Sequence, residues 1–541
     1  MIFIYILYIL IFFIALIKSE YIVDFDVVPK PKSIKISNSI PFNLNNNTKI
    51  YYNINDLFLG KNAEFLSNFI KEYTGLNISQ TITYNHNVNN IIILEYNNQI
   101  KNDEGYKILI NENSINIQAK TSIGIFYGIN FIRKTLPIIS KEEQEQNENI
   151  EIKFSGSEIN DYPSFPYRGL MLDCSRHFFE PEFIKQILDV LAFHNMNVFH
   201  WHLSDDQGWR IEIKKYPKLT EIASMRSTTV LGFNSGYYDL QPYGGFYTQE
   251  EAKEIVKYAK ERGIEVIPEI DMPGHTEAIL AAYPNLGCRG NNYNVVTSWG
   301  IFNNILCAGN NDVFNFLEGV IDELIEIFPS KYFNIGGDEA PKGEWNLCEK
   351  CLKRLKDENV INTHLLQGYF SNRVLNYLQS KGKRVIGWDE ILEGNVDKSA
   401  IILSWRGMSN GFEASKKGHD VVFSPMSNAY FDYYQGGTKI FAEPFTIGGH
   451  LPLKSVYNFN LLGSITDKNQ QKHILGAQGN TWSEYLICDN IAMYQILPRL
   501  SAMSEVTWMD FKDKEYDEFI KREKKMTRFF DFYDWIYYEI I

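Results

Sequence analysis

A chain of 541 residues, 45% hydrophobic and 22% charged, has the composition of a folded globular protein with material for two to four domains. Its formal charge of −13 excludes a general affinity for nucleic acid or an anionic membrane surface, because both need clustered Lys and Arg to displace counterions. A neutral ligand such as a sugar stays compatible with that surface.

The first element in chain order is Met1 to Ile17, almost purely apolar, followed by Lys18, Ser19 and Glu20. Its length sits nearer a signal-peptide core than the roughly 20 residues of a membrane span, so residues 1–19 read as a cleaved signal peptide. No later apolar run is long enough to cross a bilayer, so no membrane association is expected after cleavage. Secretion or lysosomal delivery follows as the expected destination. The sequons at Asn46 (NNT) and Asn77 (NIS) are consistent with that route.

Residues 20–160 predict a small α+β domain. Near-alternating runs at Ile91 to Tyr96, Tyr106 to Ile110 and Ser114 to Ala119 suggest an antiparallel sheet. Helical periods from Asn62 to Tyr73 and from Thr121 to Leu136 would cover one face. Lys141 to Asn149 (KEEQEQNEN) reads as an exposed loop before a last strand at Ile150 to Phe154.

Residues 161–541 carry a different rhythm, short apolar strands each followed by helical sequence. The strands are YRGLMLDC, MNVFHWHLS, GIEVIPEI, KYFNIGGD, KRVIGWDE, AIILSWRG, HDVVFSP and ILGAQGNTW. Continuous apolar strands imply burial on both faces, as in a parallel sheet covered by helices. Thr248 and Glu251 form a capping box that opens a helix to Arg262, and Asn311 to Phe328 has an apolar stripe. Eight such units predict a (β/α)8 barrel with its site at the C-terminal strand ends.

Those ends carry Asp173, Ser175 and Arg176, then His202, Asp205 and Asp206, then Glu269, Asp271 and His275, then Asp338 and Glu339. The second half adds Trp388 and Glu390, Trp405, Tyr430 and Asp432, and Trp482 and Glu484. Aromatic faces among carboxylates suit a sugar, whose C–H faces pack on rings while acids take its hydroxyls. Glycoside hydrolysis usually places two carboxylates on either side of the scissile bond. In NIGGDE the acids are adjacent, and successive strand residues point to opposite sides, so the pair does not straddle a bond. Substrate assistance fits better: one acid protonates the leaving oxygen and the other steadies a substrate group that attacks from within. Gly336 and Gly337 would allow a tight backbone approach. The rivals are a two-carboxylate glycosidase using Asp205, Asp271 or Glu390, and an inert carbohydrate-binding protein on the same fold.

Among six cysteines, Cys288 and Cys307 bracket a Gly/Asn-rich loop, and Cys348 and Cys351 form a CxxC. A zinc site needs four ligands, and neither a second CxxC nor a His pair accompanies this one. Two loop-closing disulfides are therefore expected, with Cys174 a buried thiol and Cys488 unassigned.

HWHLSDDQGWRIEIKKYPKLT, PEIDMPGHT and NIGGDE resemble motifs of family 20 glycoside hydrolases, the β-N-acetylhexosaminidases, and the resemblance runs from about Val28 to about Trp508. It implies that Glu339 is the general acid and base, and that Asp338 holds the acetamido N–H while its carbonyl forms an oxazolinium ion. Arg176 and Glu484 would bind outer hydroxyls, and Asp205 and His275 would support Glu339. Trp388, Trp405 and Trp482 would wall the acetamido pocket, with Tyr430 on the acetamido oxygen and Asp432 near a hydroxyl. The implied partners are glycans with terminal N-acetylhexosamine. No metal or organic cofactor is implied, and a homodimer stays open. One departure is Asn334, where the family commonly has His.

Overall fold

The computed structural model describes residues 20–540 except 54, 82–88, 148–149 and 437–442, so the expected signal peptide lies outside the described residues. The chain divides into two units. The first runs to Ser164 and takes in Trp508–Asp534; the second is Phe165–Thr507 with Trp535–Ile541. The sequence pattern, which assigns residues 161–541 to the barrel, does not show that Trp508–Asp534 belongs to the first unit.

In the first unit a seven-stranded sheet runs in the order Ser33–Ile36, Ser157–Asp161, Tyr106–Asn111, Ser114–Ala119, Ile91–Tyr96, Lys49–Tyr51, Ser79–Thr81. It is mixed rather than antiparallel, since the last four strands pair in parallel. The helix Leu57–Thr74 explains part of the difference, because a crossover helix between Lys49–Tyr51 and Ser79–Thr81 returns the chain in the same direction. Asp56 caps it by accepting from Phe58 and Leu59 N–H, and Gly75 ends it at φ +77°. Glu151–Phe154 is a strand as expected, but in a separate three-stranded sheet with Glu20–Ile22 and Phe42–Leu44. Lys141–Gln146 is a short helix, not a loop: Ser140 caps it, and Glu142 and Glu143 in its first turn suit its positive end. The C-terminal helix Tyr516–Phe532 belongs to this unit, with the Phe529 ring 5.3 Å from Tyr73.

The second unit is a closed barrel of eight parallel strands: β1 (Tyr167–Asp173), β2 (Val198–His202), β3 (Glu265–Glu269), β4 (Tyr332–Asn334), β5 (Arg384–Trp388), β6 (Ile401–Ser404), β7 (Val421–Phe423) and β8 (Ile474–Thr481). All eight coincide with strands read from the sequence. Val198, Ile267, Ile386, Ile401, Leu403 and Val422 fill its interior, each contributing about 1.5–3 kcal/mol of burial. Closure brings β8 beside β1, where a Cβ on Gly476 would lie 1.8 Å from the Tyr167 carbonyl oxygen, so only glycine fits. The helix Gln249–Glu261 carries the expected Thr248/Glu251 capping box. β4 is only three residues long, and that shortness shapes the site.

Candidate active site

Beyond Asn334 the backbone leaves strand geometry. Gly336 and Gly337 take φ +62° and +98°, and Glu339 itself sits at φ +44°. Asp338 and Glu339 are thus turn residues, and strand alternation does not govern them. Both face one cavity of about 410 Å³. A Cβ on Gly336 would stand 1.9 Å from Asp271 Oδ1, while Gly337 N–H donates to that same oxygen at 3.0 Å. The turn is therefore clamped onto Asp271. His275, at φ +51°, reaches it from the loop after β3, with Nε2 3.7 Å from Asp338 Oδ2 and 3.5 Å from Glu339 Oε2. Left-handed φ at two non-glycine residues facing one another stores about 1–3 kcal/mol each, a cost found where geometry serves chemistry.

The cavity brings together ten of the eleven residues expected at the site: Arg176, His275, Asp338, Glu339, Trp388, Trp405, Tyr430, Asp432, Trp482 and Glu484. Asp205, the eleventh, is buried and does not line it; it accepts from Arg176 Nη2 at 2.8 Å and lies 3.3 Å from His275 Nδ1. Asp206 is the nearer partner of His275, at 3.0 Å. Burial works against both charges, yet Arg176 and His275 hold Asp205 well below the usual carboxylate range, and Asp205 raises His275 well above the usual imidazole value. The protonated form of His275 is thereby favoured beside Glu339. Behind it His202 Nε2 pairs with Asp205 Oδ2 at 2.9 Å and its Nδ1 bonds Glu269. A chain of buried groups, Glu269–His202–Asp205–His275, thus leads to the half-buried Glu339.

Trp388 and Trp482 stand 5.7 Å apart by ring centroid, and Trp405 stacks on Tyr430 at 6.2 Å. Their indole donors are committed, Trp388 to Glu269 (2.8 Å) and Trp405 to Glu390 (2.9 Å), which fixes both rings. Arg176 is held by Gln207 (3.0 Å), Asp173 (3.3 Å) and Asp205, with its guanidinium over Trp482. Burial raises Asp432 well above its ordinary value and pushes Asp338 up to about 6 against the pull of His275. Asp338 Oδ1 and Asp432 Oδ1 are buried with no hydrogen-bond partner among the described residues, two acceptors aimed for something a ligand supplies.

Asn334 occupies a place where an amide suffices: Oδ1 accepts Gly336 N–H at 3.0 Å, and Nδ2 contacts His200 Nε2 at 2.9 Å. The sequence reading missed Trp299, Phe233, Tyr433 and Tyr485, which also line the cavity. They come from long loops, where no strand-end pattern marks them. Asp205, Asp206 and His275, and Asp271, His275 and Asp338, bring potential metal ligands together. In both sets His275, which its neighbours favour in the protonated form, faces the carboxylates as their counter-charge. Asn46 and Asn77 are exposed in the first unit, where Asn77 N–H donates to Asn46 Oδ1 at 3.0 Å.

The cysteines match expectation at Cys174 and depart from it at the two expected disulfides. Cys174 is a buried thiol that accepts from Trp201 Nε1 at 3.2 Å, and Cys488 is exposed. Cys288, Cys307, Cys348 and Cys351 are free and converge in one cluster rather than forming two separate loop closures.

Residues 165–510 match the model for the glycosyl hydrolase family 20 catalytic domain, and residues 24–162 match domain 2 of the same family. The chain is 44% identical over 421 residues to a β-hexosaminidase of Porphyromonas gingivalis, covering 78% of this chain and 52% of that one. Against a Vibrio furnissii β-hexosaminidase it is 33% identical over 423 residues, covering 77% and 67%. This chain therefore spans about half the length of the first relative. Among solved structures it resembles the Vibrio harveyi family 20 exo-β-N-acetylglucosaminidase in complex with N-acetylglucosamine, with TM-score 0.83, 29% identity and coverage of 96% and 79%. A mutant Streptomyces plicatus β-hexosaminidase bound to its product gives 0.81 at 27% identity, covering 95% and 96%. With both domain models matched in order and the acid pair, its histidine and the tryptophans gathered in one cavity, the chain belongs to glycosyl hydrolase family 20.

Proposed function

We propose that this protein is an exo-β-N-acetylhexosaminidase that releases terminal non-reducing N-acetylglucosamine or N-acetylgalactosamine from glycans, with retention of configuration, through an oxazolinium ion. The observation that carries the reading is the placement of Asp338 and Glu339 side by side in an aromatic pocket, with His275 beside both. Glu339 protonates the leaving oxygen. Asp338, through its unpartnered oxygen, accepts the acetamido N–H and steadies the positive ring that forms as the acetamido oxygen attacks the anomeric carbon. Glu339 then takes a proton from the water that opens the ring. The tryptophans hold the acetamido group, while Arg176, Asp432 and Glu484 receive hydroxyls. The scheme uses no metal or organic cofactor.

The likeness to the Vibrio harveyi exo-β-N-acetylglucosaminidase and the Porphyromonas gingivalis β-hexosaminidase supports this reading. The rival acids do not favour a two-carboxylate mechanism: Asp205, Asp271 and Glu390 do not line the cavity, and Asp205 is locked between Arg176 and histidines. Turnover of 4-nitrophenyl N-acetyl-β-glucosaminide separates an enzyme from an inert binding protein. A thiazoline mimic of the oxazoline should bind far more tightly than the product sugar, since it resembles the transition state. Turnover without that preference would return the two-carboxylate reading. We further propose entry to the secretory route with lysosomal or extracellular delivery and glycosylation at Asn46 and Asn77; a homodimer is compatible with all of this.

A further inference from the structure

The residues between Cys288 and Cys307 extend the loop after β3 and bring Trp299, Gly300 and Ile301 to the cavity. Cys348 and Cys351 lie on the extension after β4, downstream of Asp338 and Glu339, with Cys348 as N-cap of the helix Glu349–Asp357. The two extensions meet at sulfur. Cys307 Sγ is 3.7 Å from Cys348 Sγ and 3.6 Å from Cys351 Sγ, and Cys288 Sγ is 3.8 Å from Cys351 Sγ. All four sulfurs lie within 4.8 Å of one another.

A tetrahedral zinc ion with Zn–S bonds of about 2.3 Å sets its sulfurs about 3.8 Å apart. The near-equal contacts match those edges and single out no bonded pair. Cys307 and Cys351 each have two sulfur neighbours at nearly the same distance, the sharing that a common central ion produces. The backbone is shaped for the approach, since a Cβ on Gly309 would stand 2.1 Å from the Lys350 carbonyl carbon, and Gly309 N–H points at Cys307 sulfur. Three of the four cysteines are buried and Cys288 is half-buried, so the cluster is closed, as structural rather than catalytic zinc sites are.

We propose that Cys288, Cys307, Cys348 and Cys351 bind one zinc ion as a structural four-thiolate site that staples the loop carrying Trp299 to the loop following the Asp338–Glu339 turn. Four thiols release their protons as the ion binds, and no redox change takes place. The positive end of the Glu349–Asp357 helix and the Gly309 N–H offset the resulting negative charge. The sequence motif is hidden because the first pair is separated by eighteen residues rather than two.

The test uses the full chain, purified without chelator. Elemental analysis should find one zinc per chain. A thiol reagent should label Cys488 in the folded protein, add Cys174 on unfolding, and reach the remaining four only when a chelator is present. Cobalt(II) put in place of zinc should show intense thiolate-to-metal charge-transfer absorption. In competition with a chromogenic chelator, Cys288→Ser should lower zinc affinity at least tenfold while Cys488→Ser leaves it unchanged. Peptide mapping that finds two disulfides among these four cysteines with no stoichiometric metal would overturn the proposal, as would cobalt binding without the charge-transfer band or full affinity in Cys288→Ser. These readouts are independent of activity, so they stand or fall separately from the reaction proposed above.

Discussion

Asp338 keeps 12% of its side-chain surface exposed and Glu339 keeps 31%, and burial perturbs the carboxyl of Asp338. Asp338 is pushed up to about 6, so its ionised form, the form that the proposed mechanism requires, is lost as pH falls through that value. kcat/KM should therefore rise with pH through about 6, and Asp338→Asn should remove that limb along with most of the activity. A profile whose acid limb survives in Asp338→Asn would assign the limb to another group. Arg176 makes a second residue-scale test. Its guanidinium meets Asp173, Asp205 and Gln207 at once, a fork that the compact ammonium of Lys cannot reproduce. Arg176→Lys should lose about 10²-fold in kcat/KM, comparable to removal of one preorganised donor, while circular dichroism shows the fold retained. Unchanged kinetics would take Arg176 out of the site.

At the scale of elements, the turn after β4 decides the geometry. Gly336→Ala would force a Cβ into Asp271 Oδ1 at a left-handed φ, moving the acid pair away from His275. We expect at least a hundredfold loss of kcat/KM with the barrel still folded, measured by steady-state kinetics beside near-ultraviolet dichroism; normal turnover would show that the turn tolerates a shift. This turn also marks the limit of what the sequence made legible. The eight strands could be read because apolar runs buried on both faces have a plain signature, and the site residues because barrel chemistry collects at strand ends. The orientation of Asp338 and Glu339 could not, since strand alternation does not hold for residues that two positive-φ glycines take out of the strand. The partners behind His275, namely Glu269 and His202 through Asp205, and Asp206 directly, are visible in the sequence only as polar strand ends, because pairing across strands is a property of register, not of spacing. Parallel pairing in the first sheet was lost for a similar reason: apolar alternation along a strand does not state the direction of its neighbour.

For the whole molecule, the barrel's sequence pattern gives no sign that the last long helix joins the other unit. Tyr516–Phe532 buries Phe519, Met526, Phe529 and Phe530, and Tyr533 just beyond it bonds the Tyr73 hydroxyl at 2.8 Å. Ending the chain after Asp513 should expose Tyr73 and destabilise the first unit by several kcal/mol, as loss of buried aromatic side chains does. Limited proteolysis should then cut preferentially before Ser164; a pattern equal to that of the full chain would contradict the division into units. The cysteines change meaning at this scale too. Four of six converge on one point, so their number no longer argues for an oxidising compartment, and the secretory proposal rests on the apolar leader and the sequons.

The division of labour between the adjacent acids is tested most directly by leaving-group dependence. Glu339→Gln removes proton donation, so substrates with poor leaving groups should lose far more rate than activated aryl glycosides, which depart with little protonation. Asp338→Asn keeps the donor but weakens support of the oxazolinium ion, so its loss, about 10² to 10³, should appear even with good leaving groups. Measuring kcat/KM for both variants over a series of aryl N-acetyl-β-glucosaminides of graded leaving-group acidity should give a steep dependence for Glu339→Gln and a uniform loss for Asp338→Asn. A nearly silent Asp338→Asn, together with a covalent sugar trapped on the protein by mutation of Asp205 or Glu390, would contradict substrate assistance.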